Sequence, residues 1–535
     1  MRRWLGILLI AVGLHAQDVR IQILGTTDMH GQVMAEDTYS LQPANQGWAK
    51  IATLIRQQQA ANPHTILVDC GDTIEGEPIN YVHNVLRRDL PEPSIAIMND
   101  LGYSAMVVGN HEYNFGLDVL HAAQKQATFP FLSANTVDDQ GAGAFPASVL
   151  VKVAGVRILL VGFTTPCIPE WEEPENYAGL HFRDIVETAR TLIPRLKAEE
   201  KADVVVALLH SGLGVVDGHR GDENEALRLA DRVPGLDAIF TGHTHQAIQT
   251  EYKGVPILQA QAHGTALAVV DLDLQKADGH WRVLSSRGHL LRPTTDTPVD
   301  AAVLRLTAEL REATTRYLDT PATTLLTDLD GRWGRMEDTP LAQLLHQVQL
   351  QATGAQLSAV ACVDPRIFIP KGPTSVRQFY ALAPYENRVA RIRITGAQLK
   401  LYLEHAARGY TYSWQPDLFN RDVPFFDVDT VDGVTYALDL GKPVGSRVVG
   451  LSYQGQPVRP DQTFTLALST YRLRGGGGYM KAIGFTGQPE MVTRELQRNL
   501  LLAYVLSKPT LALAPLNNWR TIPYLDRERV MGLEQ

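Results

Sequence analysis

Cysteine is nearly missing from this sequence. Its 535 residues include only Cys70, Cys167 and Cys362. None forms a C-x-x-C pair, and no disulfide framework is implied. Each sits beside an apolar run and reads as a small core residue. Basic residues are also short: 49 Lys and Arg stand against 58 Asp and Glu, a formal net charge of −9. A general binder of nucleic-acid polymers carries a basic excess, so that class is excluded. Net charge does not describe one cleft, and a local anion site stays open. Long apolar runs are absent beyond the N-terminus. No later segment reaches the roughly eighteen apolar residues needed to cross a bilayer, so no membrane partner is expected for the mature chain. With 45% hydrophobic and 20% charged residues, the chain is neither disordered, collagenous nor a coiled coil as a whole. Its length favours about two to four domains.

The N-terminus itself carries a short apolar run. Arg2 and Arg3 precede eleven apolar residues at 4–14, and Ala16 stands where cleavage would follow. The run is too short to span a membrane and reads as a signal peptide over 1–16, although Leu14 occupies a position where a small residue is preferred. The mature protein is expected to be periplasmic or secreted.

From residue 19 to about 275 one pattern repeats. Short Val/Ile/Leu-rich runs end in polar clusters with glycine, at 19–25, 65–69, 105–109, 157–163, 203–209 and 236–241. They read as buried strands. Helical stretches at 48–60 and 182–200 lie between them, so an α/β domain is expected over 18–292. The runs 255–261 and 267–274 read as two strands of a second sheet. Residues 293–322 read as a linker, with helical spacing over 299–318. An α+β domain is expected over 323–535, with helices at 338–352, 395–408 and 494–507. Its strands are expected at 388–394, 434–440, 447–453 and 463–469. The run Gly475 to Gly478 reads as a loop.

The chemistry lies just after the strands. Asp28-Met29-His30-Gly31 follows the first, Gly71-Asp72 the second and Gly109-Asn110-His111-Glu112 the third. His210-Ser211-Gly212 and Gly242-His243-Thr244-His245 follow the fifth and sixth. The carboxyl edge of an open α/β sheet is where ligands bind. Asp, Asn and His offer oxygen and nitrogen donors suited to divalent metals. So many donors at one edge suggest two metals with a shared carboxylate, an arrangement that clamps in-line displacement at phosphorus. His64, His83, His121, His181 and His289 have no companion motif and read as structural. His263 follows a strand and is a weaker candidate for a place near the site.

The ordered motifs TTDMHG, DCGDTIEG, GNHEYNFG, LLHSG and TGHTH resemble those of calcineurin-type metallophosphoesterases. With an export signal and an α+β second half, the chain is similar to the secreted 5′-nucleotidases. That family includes periplasmic 2′,3′-cyclic-nucleotide 2′-phosphodiesterases. The resemblance implies a four-layer α/β/β/α sandwich followed by an α+β nucleotide-binding domain. It also implies two divalent metals, of which Mn, Zn, Co and Fe all suit the ligands. Asp28, His30 and His245 would hold one, Asn110, His210 and His243 the other, and Asp72 would bridge them. A hydroxide bridging the metals would attack phosphorus.

His111 would stabilise the phosphoryl group or the leaving oxygen. Asn114 stands where 5′-nucleotidases commonly carry Asp, and this resembles the cyclic-phosphodiesterase branch. A neutral partner should also leave His111 less basic. In the second domain the motifs are softer: LAPYEN, RITGAQL, VDGVTYALD and the glycine loop. Phe425 or Phe426 and Tyr479 sit at the positions the family uses to stack a base, with Tyr471 as competitor. Asp364-Pro365-Arg366 replaces a Gly-Gly-Ile-Arg stretch common in the family. Arg366 would meet a phosphate or ribose, and Asn387 the base or ribose. The expected reaction opens a 2′,3′-cyclic nucleotide to a 3′-nucleotide, then dephosphorylates it. The alternatives are 5′-nucleotide or nucleotide-sugar hydrolysis, sulfur-ester hydrolysis, and a non-catalytic nucleotide receptor. Oligomeric state is not readable.

Overall fold

The computed structural model describes residues 17–361, 364–412, 417–525 and 527. The signal segment and Cys362 lie outside the described residues.

Two six-stranded sheets form the first half. In the first, Gln17–Thr26, Thr65–Asp69, Ala105–Val107 and Phe131–Leu132 run parallel. Leu267–Ala277 and His280–Leu291 extend it antiparallel beyond Gln17–Thr26. In the second, Val156–Thr164, Val204–His210, Ala238–Thr241 and Val255–Ala260 run parallel. Ser148–Val153 and Ala247–Tyr252 flank them antiparallel. The run at 267–274 therefore belongs to the first sheet, not the second. Its in-register pairing with the edge of Gln17–Thr26 decides this, and hydrophobic pattern cannot show such a partner.

Alternation within the strands explains the layering. Ile158, Leu160, Val204, Val206 and Leu208 face the first sheet and share one core with Ile21, Ile23, Ile66 and Val68. Their neighbours Leu159, Val161, Val205, Ala207 and Leu209 point the other way, onto Ile185–Glu199 and Ala226–Arg232. On the far side, Leu24, Leu67 and Met106 meet Trp48, Ile51 and Ile55 of the helix Trp48–Ala61. Because both faces of each sheet are apolar, each sheet needs a sheet on one side and helices on the other. The result is an α/β/β/α sandwich. Cys70 and Cys167 are buried.

The segment expected as one linker helix forms two, Ala301–Leu306 and Ala308–Leu318, broken at Thr307. The Thr307 hydroxyl bonds back to the Val303 carbonyl at 2.8 Å, a habit that competes with helix continuation. The polar lead-in is strapped to the first domain. Lys50 donates to the Thr294 carbonyl at 2.6 Å, Thr53 to the Pro298 carbonyl, and Arg56 to Asp300 at 2.8 Å.

Beyond it, a five-stranded sheet has the order Thr430–Asp432, Leu357–Val360, Thr463–Ser469, Arg388–Thr395, Met491–Leu496. Helices Pro340–Thr353 and Gly396–Ala406 pack on it. The glycine run links two short helices, Thr470–Arg474 and Tyr479–Ala482. Gly475, Gly477 and Gly478 all have positive φ, which ends the first helix and re-aims the chain.

Candidate metal centre and interdomain cleft

The polar residues after the parallel strands converge at one edge of the sandwich. Asp28, His30, Asp72, His243 and His245 all have left-handed backbone, with φ between 46° and 77°. That conformation is uncommon for residues bearing a Cβ and costs about 1–3 kcal/mol each. It turns each side chain back over the strand ends. Gly71 lets the loops meet, because a Cβ there would lie 2.7 Å from the Gly109 nitrogen and 2.9 Å from His210 Nδ1.

Two donor sets result. Asp28, His30, Asp72 and His245 form one; Asp72, His210 and His243 form the other. Asp72 belongs to both. Asn110 joins the second, its Oδ1 lying 2.9 Å from His210 Nε2 and 3.0 Å from His243 Nδ1. His30 Nε2 and His245 Nε2 are 3.0 Å apart.

The opposite ring nitrogens are already engaged. His30 Nδ1 faces the Glu75 carbonyl at 3.0 Å, and His210 Nδ1 the Cys70 carbonyl at 2.7 Å. His243 Nε2 faces Glu223 at 2.7 Å. Such partners fix the tautomer and leave the inward nitrogen's lone pair for a cation. Inward lone pairs around shared carboxylate oxygens fit divalent metals.

Two carboxylates in the same motifs escaped the sequence reading. Glu112 accepts from the backbone amides of Gly109, Asp72, Thr73 and Ile74 at 2.6, 2.8, 2.6 and 3.3 Å. It ties two ligand-bearing loops together. Glu75 Oε2 lies 3.0 Å from His111 Nδ1 and 3.7 Å from His30 Nδ1. Both belong to motifs already singled out, as the last acidic residues of GNHE and DTIE. What their side chains reach is set by how the loops fold.

Glu75 corrects the expectation for His111. Asn114 does accept from His111 Nδ1 at 2.6 Å, but it is not the only partner. Burial opposes charge on His111, yet Asp72 and Glu75 together hold its pKa well above the ordinary imidazole range. Glu75 is buried too, and His111 and His30 nevertheless bring it down to about 2. His263 sits beside the first set, 5.5 Å from the His30 ring. Burial and the neighbouring histidines push it down to about 3, so it stays neutral.

A cleft of about 1090 Å³ separates this edge from the second domain. His111, Asn114, His243 and His245 line one wall; Asn387, Phe426 and Tyr471 line the other. Tyr385 also lines it, its ring near-parallel to His111 at 6.4 Å. Trp171 packs on His243 at 5.1 Å. It lies in the acidic stretch 170–175, which carried no recognisable motif.

Two expected substrate contacts are placed elsewhere, and a third does not line the cleft. Tyr479 is fully buried, donates to the Asp427 carbonyl at 2.7 Å and packs on Tyr402 at 4.4 Å. It is core, and Tyr471 takes its place at the cleft. Phe425 turns from the cleft and stacks on the Arg335 guanidinium at 4.2 Å, while its neighbour Phe426 is 40% exposed. Arg366 is exposed and pairs with Asp364 at 2.7 Å; its charge still reaches His263 beside the first donor set.

The family comparisons agree with this architecture. Residues 21–247 match the calcineurin-like phosphoesterase family, and residues 315–483 match the 5′-nucleotidase C-terminal domain. The chain thus carries a calcineurin-like phosphoesterase domain followed by a 5′-nucleotidase C-terminal domain. It is 30% identical to the trifunctional nucleotide phosphoesterase protein YfkN of Bacillus subtilis, over 95% of this chain and 39% of that protein. The chain thus corresponds to well under half of that relative's length. It is 29% identical to the 2′,3′-cyclic-nucleotide 2′-phosphodiesterase/3′-nucleotidase of Haemophilus influenzae, over 96% of this chain and 89% of that protein. A solved 5′-nucleotidase precursor from Thermus thermophilus shares the fold with a TM-score of 0.69 and 23% identity, covering 94% of this chain and 99% of that one.

Proposed function

We propose that this protein is an exported hydrolase that opens 2′,3′-cyclic nucleotides to 3′-nucleotides and then removes the 3′-phosphate. The observation carrying this reading is the pair of donor sets sharing Asp72 across a cleft from Phe426 and Tyr471. One divalent cation would be held by Asp28, His30, Asp72 and His245. A second would be held by Asp72, Asn110, His210 and His243. Two such cations, drawn from Mn, Zn, Co or Fe, neutralise phosphoryl charge and acidify water when bound.

The chain's own groups do the rest. Asp72 Oδ1 accepts from the His111 backbone amide at 2.8 Å, which keeps the imidazole beside the donor sets. His111, with Nδ1 committed to Asn114 and Glu75, presents Nε2–H to a phosphoryl or leaving oxygen. Water oxygen bonds to phosphorus, the P–O2′ bond breaks, and the 2′-oxygen takes a proton. Phe426 and Tyr471 offer π faces to the base, a grip that tolerates any base. Asn387 offers an amide to the base or ribose. Export rests on residues 1–16, and among the described residues no helix is long and apolar enough to cross a membrane.

A second reading, 5′-nucleotide hydrolysis, is favoured by Glu75, which gives His111 the carboxylate that Asn114 does not. The test is a panel of 2′,3′-cyclic AMP, 3′-AMP, 5′-AMP, a nucleotide sugar and bis-p-nitrophenyl phosphate, with and without Mn²⁺. Opening of the cyclic ester to 3′-AMP is expected. Asp72→Asn should lower the rate by about 10³-fold or more, comparable to the loss of a central electrostatic element. Turnover of 5′-AMP with the cyclic ester untouched would select the second reading.

A further inference from the structure

The acidic stretch 170–176 belongs to the first domain, yet its side chains reach both the candidate centre and the second domain. On one side, Glu172 Oε2 accepts from Asn114 Nδ2 at 2.5 Å. Asn176 braces this contact by donating to Glu172 Oε1 at 2.9 Å and to the Asn114 carbonyl at 3.1 Å. Burial raises the Glu172 carboxyl to about 7; in its ionised form it can only accept, and it turns the Asn114 amide nitrogen toward itself. The amide oxygen must then face His111 Nδ1, where it accepts at 2.6 Å. Glu172 thereby holds the Asn114 oxygen against His111 Nδ1–H, beside Glu75, and Nε2 is left to face the cleft.

On the other side, the next residue, Glu173, pairs with Arg474 of the second domain. Glu175 accepts from Arg388 at 2.6 Å. Glu173 is 7% exposed, so its partner matters: a buried carboxylate deprived of its cation is strongly destabilised. Arg474 ends the helix Thr470–Arg474, which also carries Tyr471 and leads into the glycine run. That helix packs on the turn Ile168–Glu170. The backbone amide of Glu173 donates to Glu172 Oε1 at 2.5 Å, so displacement of one residue displaces the other.

From this juxtaposition we infer that Glu173 and Arg474 form an interdomain latch that positions His111 through Glu172 and Asn114. The second domain sets the orientation of the imidazole when it is docked, and a chain with the latch broken holds nucleotide beside a misaligned His111. Glu172, Glu173 and Arg474 are positioning residues in this account. The inference rests on the phosphohydrolase reading for its consequence in rate, but not for the geometry it asserts.

The test uses the zinc-loaded full chain with ¹³C-labelled histidine rings, the His111 signal being assigned by its loss in His111→Gln. In Glu173→Gln and in Arg474→Gln the His111 ring signals shift. The kcat on the ester the wild type hydrolyses falls about tenfold, within the range seen when an orienting partner is lost, and KM moves less than about twofold. The exchange Glu173→Arg with Arg474→Glu returns both readouts toward wild type, and it decides the matter if a single variant does not fold. In a His111→Gln background, Glu173→Gln lowers kcat no further, since the two act as one unit. A His111 signal unmoved in folded Glu173→Gln overturns the latch, whatever the substrate. A rise in KM alone also overturns it and assigns Arg474 to nucleoside binding. A wild-type chain inert on every phosphate ester sinks the phosphohydrolase reading, while the ring signal still decides the latch.

Discussion

Glu112 shows how much of a candidate centre can rest on a residue that touches neither metal nor substrate. Four backbone amides converge on its two oxygens, and it is 1% exposed. Burial raises its carboxyl, with Asp72 adding to the shift, while the amides of Thr73 and Asp72 pull it down. Glu112→Gln keeps the shape but turns an NH₂ group toward donors that need an acceptor. Leaving buried amides unpaired costs about 1–3 kcal/mol. Because those amides belong to the loops bearing Asp72 and Asn110, the expected outcome is twofold. The urea midpoint falls, and the bound metal per chain, read by elemental analysis after dialysis, drops below that of wild type. A variant with wild-type metal content would remove Glu112 from any part in shaping the centre.

At the scale of elements, the glycine run and the helix before it form the wall that would hold a base. Gly476 lies so close to Tyr471 that an added Cβ would sit 2.5 Å from several ring carbons. Gly476→Ala must therefore push Tyr471 out of its place. It should raise KM for nucleotides about tenfold, consistent with stacking worth about 1–3 kcal/mol per base. Turnover of bis-p-nitrophenyl phosphate, which has no base, should stay near wild type. Equal losses on both substrates would place Tyr471 outside base recognition.

The same elements show what sequence could and could not reveal. Asp28, His30, Asp72, Asn110, His210, His243 and His245 were legible because each follows a buried strand, and the carboxyl edge of parallel strands is one place. The choice between Phe425 and Phe426 was not legible. The two are adjacent, and the turn Phe425–Asp427 decides which one faces the cleft and which one Arg335 takes. Tyr479 and Tyr471 both border the glycine run, and three positive-φ glycines set which ring is buried. Likewise the partner of the strand at 267–277 is a fact of register, since its alternation would suit either sheet.

For the whole molecule, the decisive contact is a buried arginine that joins the two domains. Arg498 is fully buried. Its guanidinium stacks on Tyr81 of the first domain at 4.6 Å and on Tyr380 of the second at 4.3 Å. It donates to the Pro384 carbonyl at 2.9 Å and pairs with Glu386. Pro384 and Glu386 flank Tyr385, so the same side chain ties the domain junction to the cleft wall opposite His111. Arg498→Met keeps most of the length but leaves Glu386 buried without its cation, a loss of about 3–5 kcal/mol. Much of that loss falls on the second domain, whereas the sandwich keeps its own three cores. Scanning calorimetry should therefore change in form as well as midpoint. The wild type should unfold with its domains coupled, and Arg498→Met should show the second domain melting ahead of the first as a separate transition. A uniform downward shift with the profile intact would mean that the wider interface, including Glu173 with Arg474 and Glu175 with Arg388, holds the domains together without Arg498.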